Sequence, residues 1–91
     1  MDLREQLHYL MEGVLKGTYD VQTFCDEFIR IYNFEEGYEQ LSQKEKILYR
    51  ELCEIAGRFS DDIEDLKLPN VYYSAEEVLG KVKEVEALLK Q

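Results

Sequence analysis

Four segments of the chain carry apolar residues at one shared spacing, and this repeat limits the possible folds more than any other feature. Within each segment the apolar positions are separated by four, three and four residues. The four sets are Leu3, Leu7, Leu10 and Val14; Val21, Cys25, Phe28 and Tyr32; Leu48, Leu52, Ile55 and Phe59; and Val78, Val82, Val85 and Leu89. This spacing turns one side of an α-helix toward a core. The neighbours that widen the stripes, as a globular bundle requires, are Met11, Phe24, Ile31, Ile47, Leu79 and Leu88.

The residues between the stripes carry the signals that begin and end helices. Gly17 follows the first stripe, where a left-handed C-terminal residue is common. Thr18 or Asp20 can cap the second helix. The segments 42–45 and 74–77 each place Ser three residues before Glu, the pattern of a capping box. We therefore expect helix starts at these serines.

These patterns predict an all-α fold, an antiparallel four-helix bundle with helices of about 12–16 residues. Connections are predicted at 16–19, 33–41 and 60–73. The last connection is expected to be non-helical, because it contains Pro69 and Asn70. Since the four stripes can cover one another within one chain, we expect a monomer.

Length and charge narrow the functions that this chain can perform. Ninety-one residues, 45% of them apolar, predict a single domain over 1–91. No apolar run reaches the roughly 18 residues of a membrane span, and the first residues lack the pattern of a signal peptide, so a cytoplasmic location is expected. The net charge of −9 argues against direct binding of nucleic acid or anionic membranes. It suits a cationic protein partner.

The sequence contains little that could support catalysis. His8 is the only histidine, and no nucleophile lies at a recognisable distance from it. Cys25 and Cys53 fall inside predicted helices and lack the spacing of zinc ligands, so an apolar structural role is expected for both. We predict no enzymatic activity, no cofactor and no metal site.

The densest charge in the chain lies just past the third stripe, with four carboxylates in five positions. These are Asp61, Asp62, Glu64 and Asp65, called the acidic segment below. The connection that contains them is long, and long connections in compact domains tend to be functional or disordered. The segment could be a solvated turn, or it could bind a cation-rich partner. A second acidic group, Glu35, Glu36 and Glu39, precedes the third helix and is less dense.

Side chains near the acidic segment extend the candidate site. Glu54 lies on the side of the third helix opposite its apolar stripe, so we expect it to be exposed. Tyr72 and Tyr73 end the long connection and could anchor a partner, since tyrosine is common at the centre of interfaces. One ring could instead cover the core. Arg58 is expected to pair with Asp61 or Asp62 and so hold the connection in place.

Several short motifs together resemble the colicin D immunity protein family. They are Leu41-Ser42, Glu51-Leu52, the run from Ala56 through Arg58-Phe59 to Glu64, Tyr73, and Phe24 at the matching distance upstream. The resemblance covers about four-fifths of the chain. It implies an antiparallel four-helix bundle that protects a bacterium from a toxin cleaving the anticodon loop of transfer RNA. The carboxylates would stand in the toxin's basic cleft where RNA phosphates would lie.

The resemblance also implies roles for particular residues. Asp62 matches a family acid that meets the toxin's active site, and Glu64 matches another acid of the same segment. Gly57 departs from the family pattern, which has Glu immediately before Arg-Phe. Residues and resemblance together predict a toxin-binding surface. Its members are Glu54, Asp61, Asp62, Glu64, Asp65, Tyr72 and Tyr73.

Two other functions remain open from the sequence. The chain could be an immunity protein against a pore-forming bacteriocin, although its acidic surface fits a membrane site poorly. It could also be an acidic adaptor or DNA mimic that docks on a transcription factor or restriction enzyme. A neighbouring gene that ends in a basic domain would favour the toxin inhibitor over both.

Overall fold

A computed structural model describes residues 2–34, 37–68 and 71–91 of the chain, and their regular structure is all helical. In these residues the α-helices are α1 (Leu3–Lys16), α2 (Val21–Phe34), α3 (Gln43–Ala56), α4 (Ile63–Leu66) and α5 (Ala75–Leu89), and a 3₁₀ turn spans Tyr38–Gln40. Four of the helices carry the four predicted stripes, except that α3 ends before Phe59, the last predicted member of the third stripe. The fifth, α4, is a single turn inside the connection from α3 to α5.

The predicted signals at the helix ends are confirmed. Gly17 ends α1 with φ 78°, a left-handed conformation that costs glycine nothing. Asp20 rather than Thr18 caps α2, since its carboxylate accepts the backbone N–H of Thr23 at 2.8 Å. Both capping boxes form, with Ser42 capping α3 and Ser74 capping α5. Local sequence therefore sets where the long helices begin.

The core lies between the four long helices. Helix α1 packs against α2 and α5, α3 packs against the same two helices, and α2 also contacts α5. All of the first stripe is buried, and the most buried large side chains include Phe24, Phe28, Leu52, Val78 and Val82. Burial of this apolar surface is the main force that holds the helices together.

One core prediction is wrong on α3. Ile47 was expected to widen the apolar stripe, but its side chain is 38% exposed, and Tyr49 is buried instead at 1% exposure. The Tyr49 ring meets the edge of Phe28 with ring centroids 6.3 Å apart. Burial raises the pKa of Tyr49 to about 12. The buried face of α3 therefore includes Tyr49 and not Ile47.

Two ion pairs connect α3 to its neighbours. At the start of α1, Arg4 Nε donates to Glu45 Oε2 at 2.6 Å, and Arg4 Nη2 also reaches the carbonyl of Gln40 at 2.9 Å. Near the middle of α3, Glu51 pairs with Lys81 of α5 at 3.0 Å, as its place at the edge of the core suggested. Arg4 thus fixes the start of α3 relative to α1.

A lipid bilayer could not be crossed by any helix in the described ranges, because none combines sufficient length with sufficient apolar character.

Candidate functional site

The connection that carries the acidic segment is closed at its base by backbone hydrogen bonds. Ser60 N–H donates to the carbonyl of Tyr73 at 3.0 Å, and Tyr73 N–H donates to the carbonyl of Arg58 at 2.8 Å. Phe59 and Tyr73 form an isolated parallel bridge, and both rings pack against the core. The chain between them therefore leaves and returns at one fixed point, called the neck below.

The expectation of a connection without helix is wrong, because Ile63–Leu66 forms one turn of helix. The turn is built by local side chains. Asp62 accepts the backbone N–H of Glu64 at 2.9 Å, and the hydroxyl of Ser60 accepts the N–H of Asp62 and donates to Asp65 Oδ2 at 2.9 Å. Part of the acidic segment thus has a structural use, since carboxylates favour a helix N-terminus.

The acids of the segment face outward. Asp61, Asp62 and Glu64 are exposed, and Asp65 is half-buried. Glu64 has a local cation, Lys67, at 3.2 Å, with both side chains largely exposed. Exposed pairs of this kind contribute little to stability. Most of the negative charge therefore remains available to a partner.

The predicted pairing of Arg58 with Asp61 or Asp62 is wrong. In the ranges described, Arg58 makes no ion pair, and its contribution to the neck is its backbone carbonyl. The same ranges offer Asp61 neither a salt-bridge nor a hydrogen-bond partner for its side chain. Backbone hydrogen bonds, and not the expected ion pair of Arg58, anchor the connection.

The other predicted acids lie apart from this segment. Glu54 is exposed on α3, as expected, and within the described chain no hydrogen bond or ion pair joins it to the acidic segment. Glu39 is exposed in the 3₁₀ turn. Glu35 and Glu36, the rest of the second acidic group, lie outside the described residues, as do Pro69 and Asn70.

The two tyrosines divide between core and surface. Tyr73 is half-buried against the core, whereas Tyr72 is 37% exposed. Tyr73 therefore faces the core and Tyr72 faces solvent. The sequence had left open whether one of the two rings covers the core.

Three apolar side chains of this connection were missed by the sequence analysis. Ile63 is 71% exposed, Leu68 50% and Val71 43%, all in the connection that bears the acids. Exposed apolar side chains grouped beside charge are typical of protein interfaces. The sequence could have indicated that these three side chains are exposed, because none of them belongs to an apolar helical stripe.

A groove opens beside the acidic segment. Its volume is about 410 Å³, and its apolar wall comes from three helices, the α1–α2 connection and the neck, with Val14, Tyr19, Val21, Phe59 and Leu79 contributing. Two acidic residues, Asp20 and Asp61, also line it. We call it the Phe59 groove. Asp20 was predicted only as a cap, so its place beside Asp61 was not foreseen.

Hydrogen bonds keep Asp20 charged. The backbone N–H of Thr23, together with its hydroxyl, donates to the Asp20 carboxylate and holds the pKa of that group below its ordinary value. Among the described residues, no Lys, Arg or His side chain lines the Phe59 groove. The groove therefore combines an apolar wall with two carboxylates, of which Asp20 is balanced only by hydrogen bonds from Thr23.

Tyr19 shapes the wall of this groove from the α1–α2 connection. Its hydroxyl donates to the backbone carbonyl of Leu10, and the carbonyl of Tyr9 lies 3.3 Å away. Burial raises the pKa of Tyr19 to about 12, so the hydroxyl stays protonated at neutral pH. A Cβ placed on Gly13 would lie 2.5 Å from the Tyr19 ring, so the ring can occupy this place only beside glycine.

A second groove, of about 300 Å³, lies where α1 and α3 begin and α5 ends. Its charged groups include Arg4, Glu45, Glu86 and Lys90, and Tyr49 and Leu89 form part of its apolar wall. Glu45 pairs with Arg4, and Glu86 pairs with Lys90 at 3.3 Å. We call it the Arg4 groove. Two of its carboxylates thus have cations, whereas Glu5, which also lines it, makes no ion pair with any described residue.

The remaining reactive groups form no recognisable centre. His8 lies on the exposed side of α1 and contacts Glu12 at 2.8 Å. Cys25 is buried and Cys53 half-buried, both as free thiols, and burial raises the pKa of each. In residues 2–34, 37–68 and 71–91, no group of three or more His, Cys, Asp or Glu side chains is arranged to hold a metal ion.

Comparisons with known proteins give no further guide to the site. The sequence matches no family model, and neither a curated protein nor a solved structure is significantly similar to the chain.

Proposed function

We propose that this chain is an immunity protein of the colicin D immunity type, which binds and neutralises a transfer-RNA-cleaving toxin domain. The observation that carries the proposal is the outward position of Asp61, Asp62 and Glu64 on a connection closed at its neck. A nuclease must bind a polyanion, so its cleft is lined with Lys and Arg. An acidic projection of fixed shape fits such a cleft and blocks the substrate.

The scaffold that we propose is an antiparallel four-helix bundle. Support comes from the order of contacts, in which α1, α2, α3 and α5 each touch the next and α5 returns to α1. It also comes from the helix ends. The starts of α1 and α3 line the Arg4 groove together with the end of α5, and the start of α5 lies beside the end of α1 at the Phe59 groove. This arrangement supports an α5 that runs opposite to α1 and α3.

Charge would speed the encounter of the two proteins. With a net charge of −9, the chain attracts a basic domain over long range, and this attraction weakens as salt is added. Removing charges from water on both sides offsets much of their attraction in the complex. The charges therefore set the rate of association and the choice of partner more than the final affinity.

Apolar anchors would supply much of the affinity. Tyr72 was predicted for this role, and its 37% exposure supports it. Ile63, Leu68 and Val71 add exposed apolar surface to the same connection. We therefore include them beside Asp61 in the proposed binding surface. Such anchors carry most of the energy in well-packed interfaces. The protein would act as a monomer in the cytoplasm, where transfer RNA is found.

The test begins with the gene beside this chain's coding sequence. Its C-terminal basic domain is expressed, and two quantities are measured: its affinity for this protein and its cleavage of transfer RNA. The proposal predicts inhibition at equal concentrations. Reversing charge in the double variant Asp61→Lys/Asp62→Lys is expected to weaken binding by about 2 kcal/mol or more, because like charges would then meet.

The matched control reverses two exposed acids away from the segment, in Glu5→Lys/Glu39→Lys. It changes the net charge by the same amount, so long-range attraction falls equally in both variants. We expect only a small loss of affinity from the control. Equal losses in the two variants would contradict the proposed site, and a neighbouring basic domain that cleaves transfer RNA undisturbed by this protein would contradict the function.

A further inference from the structure

The Phe59 groove differs from the rest of the acidic surface because it pairs carboxylates with an apolar wall. Val21 and Leu79 are half-buried along this wall, and Phe59 offers an aromatic ring. Asp20 and Asp61, which also line it, are both exposed. A ligand that fits must be apolar along its length and cationic at its tip.

We propose that the Phe59 groove is a docking site for an arginine side chain of a basic protein partner. The three-carbon stem would lie along Val21 and Leu79, and the guanidinium would donate to the carboxylates of Asp20 and Asp61. The identity of the partner rests on the proposed function, whereas the chemistry of the site rests on the groove itself. The binding surface then extends from the acidic segment to the start of α2.

Arginine fits this groove better than lysine for three physical reasons. Its guanidinium carries five N–H donors in a planar fork, so it can serve two carboxylates at once. It is more weakly hydrated than an ammonium group, so less hydration is lost against an apolar wall. It also stacks favourably on an aromatic ring such as that of Phe59.

The Arg4 groove shows why charge complementarity decides the occupant. That groove has a similar apolar character, with Leu89 in its wall, but Glu45 and Glu86 there are paired with Arg4 and Lys90. An incoming arginine would meet the like charges of Arg4 and Lys90 there. The Arg4 groove is therefore the comparison site for the experiments below.

The first experiment probes the groove without any partner. N-acetyl-arginine amide is titrated into the full chain, and the methyl signals of Val21, Leu79 and Leu89 are followed by NMR. We expect concentration-dependent shifts of Val21 and Leu79 in the millimolar range, with Leu89 unchanged. The citrulline analogue has the same shape without the charge, and it should cause at most a tenth of the shift at equal concentration.

Several outcomes would overturn the inference. Equal shifts from the citrulline analogue or from N-acetyl-leucine amide would make the groove a general apolar site. Stronger binding of the lysine analogue would mean that lysine, and not arginine, is the preferred side chain. Shifts of Leu89 as large as those of Leu79 would mean that binding is not specific to this groove. The absence of shifts in Val21 and Leu79 would also refute it.

The second experiment uses the toxin domain and two variants of the groove. Asp20→Asn removes the charge but keeps the helix cap, because asparagine caps helices as well as aspartate. We expect affinity to fall about tenfold, as for one lost charge-assisted hydrogen bond. Ala75→Leu places a larger side chain in the groove wall at the start of α5 and should reduce affinity by at least as much.

The two proposals fail in different ways. If the toxin domain binds and neither Asp20→Asn nor Ala75→Leu changes its affinity, the arginine site is wrong and the proposed function stands. If no toxin domain binds but the arginine probe occupies the groove, the site stands and the proposed function is wrong. Circular dichroism of each variant identifies any that does not fold, and the NMR titration of the unaltered chain decides independently of them.

Discussion

The Arg4 groove and the Phe59 groove lie near opposite ends of α1, and their carboxylates have different surroundings. In the first, Glu45 accepts hydrogen bonds from Arg4 and from the backbone N–H of Ser42. In the second, the described residues place no cation beside Asp20 or Asp61. Both ends contain carboxylates, but among the described lining residues only those of the Arg4 groove include cations that pair with them.

This difference separates carboxylates that hold the fold from carboxylates that are free to bind. Glu45 completes a capping box and ties α3 to α1, so its charge is used within the molecule. Within the described residues the Asp61 side chain makes no hydrogen bond and no ion pair. Removing the charge of Glu45 should therefore change stability, and removing the charge of Asp61 should change binding.

The largest effect on stability is expected where the wall of the Phe59 groove meets α1. In Gly13→Ala, the new methyl group would lie 2.5 Å from the Tyr19 ring, so the ring must move and lose its hydrogen bond to Leu10. We expect the free energy of unfolding to fall by about 1–2 kcal/mol, after the helix-forming gain of alanine is included. Urea denaturation measures this.

Gly80→Ala is the matched control, because no atom lies within 4 Å of a Cβ at that exposed helical position. It should stabilise the protein by about 0.5–1 kcal/mol. The two substitutions are therefore expected to change the free energy of unfolding in opposite directions. In a Tyr19→Ala background Gly13→Ala should also become stabilising, and a Gly13→Ala variant that loses stability equally with and without the ring would contradict this account of the wall.

A smaller effect is expected from Glu45→Gln at the Arg4 end. Glutamine can keep the capping box, so the change removes mainly the charge pair. Hydrogen bonds from Arg4 hold the pKa of Glu45 below its ordinary value, so its stabilisation is present at neutral pH and is lost as pH falls through that lowered pKa. We expect a loss of about 1 kcal/mol or less at pH 7, the usual range for ion pairs near the surface.

Urea midpoints at pH 7 and at pH 3 measure this pH dependence. The unaltered protein should lose more stability on acidification than Glu45→Gln, since the variant has no carboxylate to protonate at that position. Equal losses in the two proteins would mean that the Arg4 pair contributes nothing to the acid sensitivity of the fold.

The smallest effect on stability is expected at Asp61. Asp61→Asn removes a charge that no described side chain balances, so the free energy of unfolding should change by no more than about 0.5 kcal/mol. Calorimetric melting measures the change. A loss as large as that in Glu45→Gln would remove the distinction between the two carboxylates, because Asp61 would then be holding the fold.

The sequence predicted the long helices because their signals are local. The spacing of Leu3, Leu7, Leu10 and Val14 and the two capping boxes depend on residues within four positions of one another. The choice between Ile47 and Tyr49 was beyond such patterns. Ile47 and Tyr49 lie about 100° to either side of Leu48 around the helix, and the side that meets Phe28 of another helix is the one that is buried.

The candidate site was predicted only in part, for a similar reason. The acids at 61–65 and the tyrosines at 72 and 73 were visible as composition, but the turn of α4 depends on side-chain hydrogen bonds of Ser60 that no helical period reveals. Asp20 is 41 positions before Asp61, so only the packing of the helices could bring both to one groove. The neck could not be predicted either, because its hydrogen bonds join backbone atoms, which every residue has.

The neck at Ser60 and Tyr73 allows the sequence between them to change during evolution. Its closure depends on main-chain N–H and carbonyl groups, which every amino acid except proline supplies in full. Residues 61–72 can therefore be exchanged between descendants while the closure is inherited unchanged. A lineage built on this plan acquires new recognition by rewriting the residues between the two sides of the neck, and the hydrophobic interior need not evolve with them.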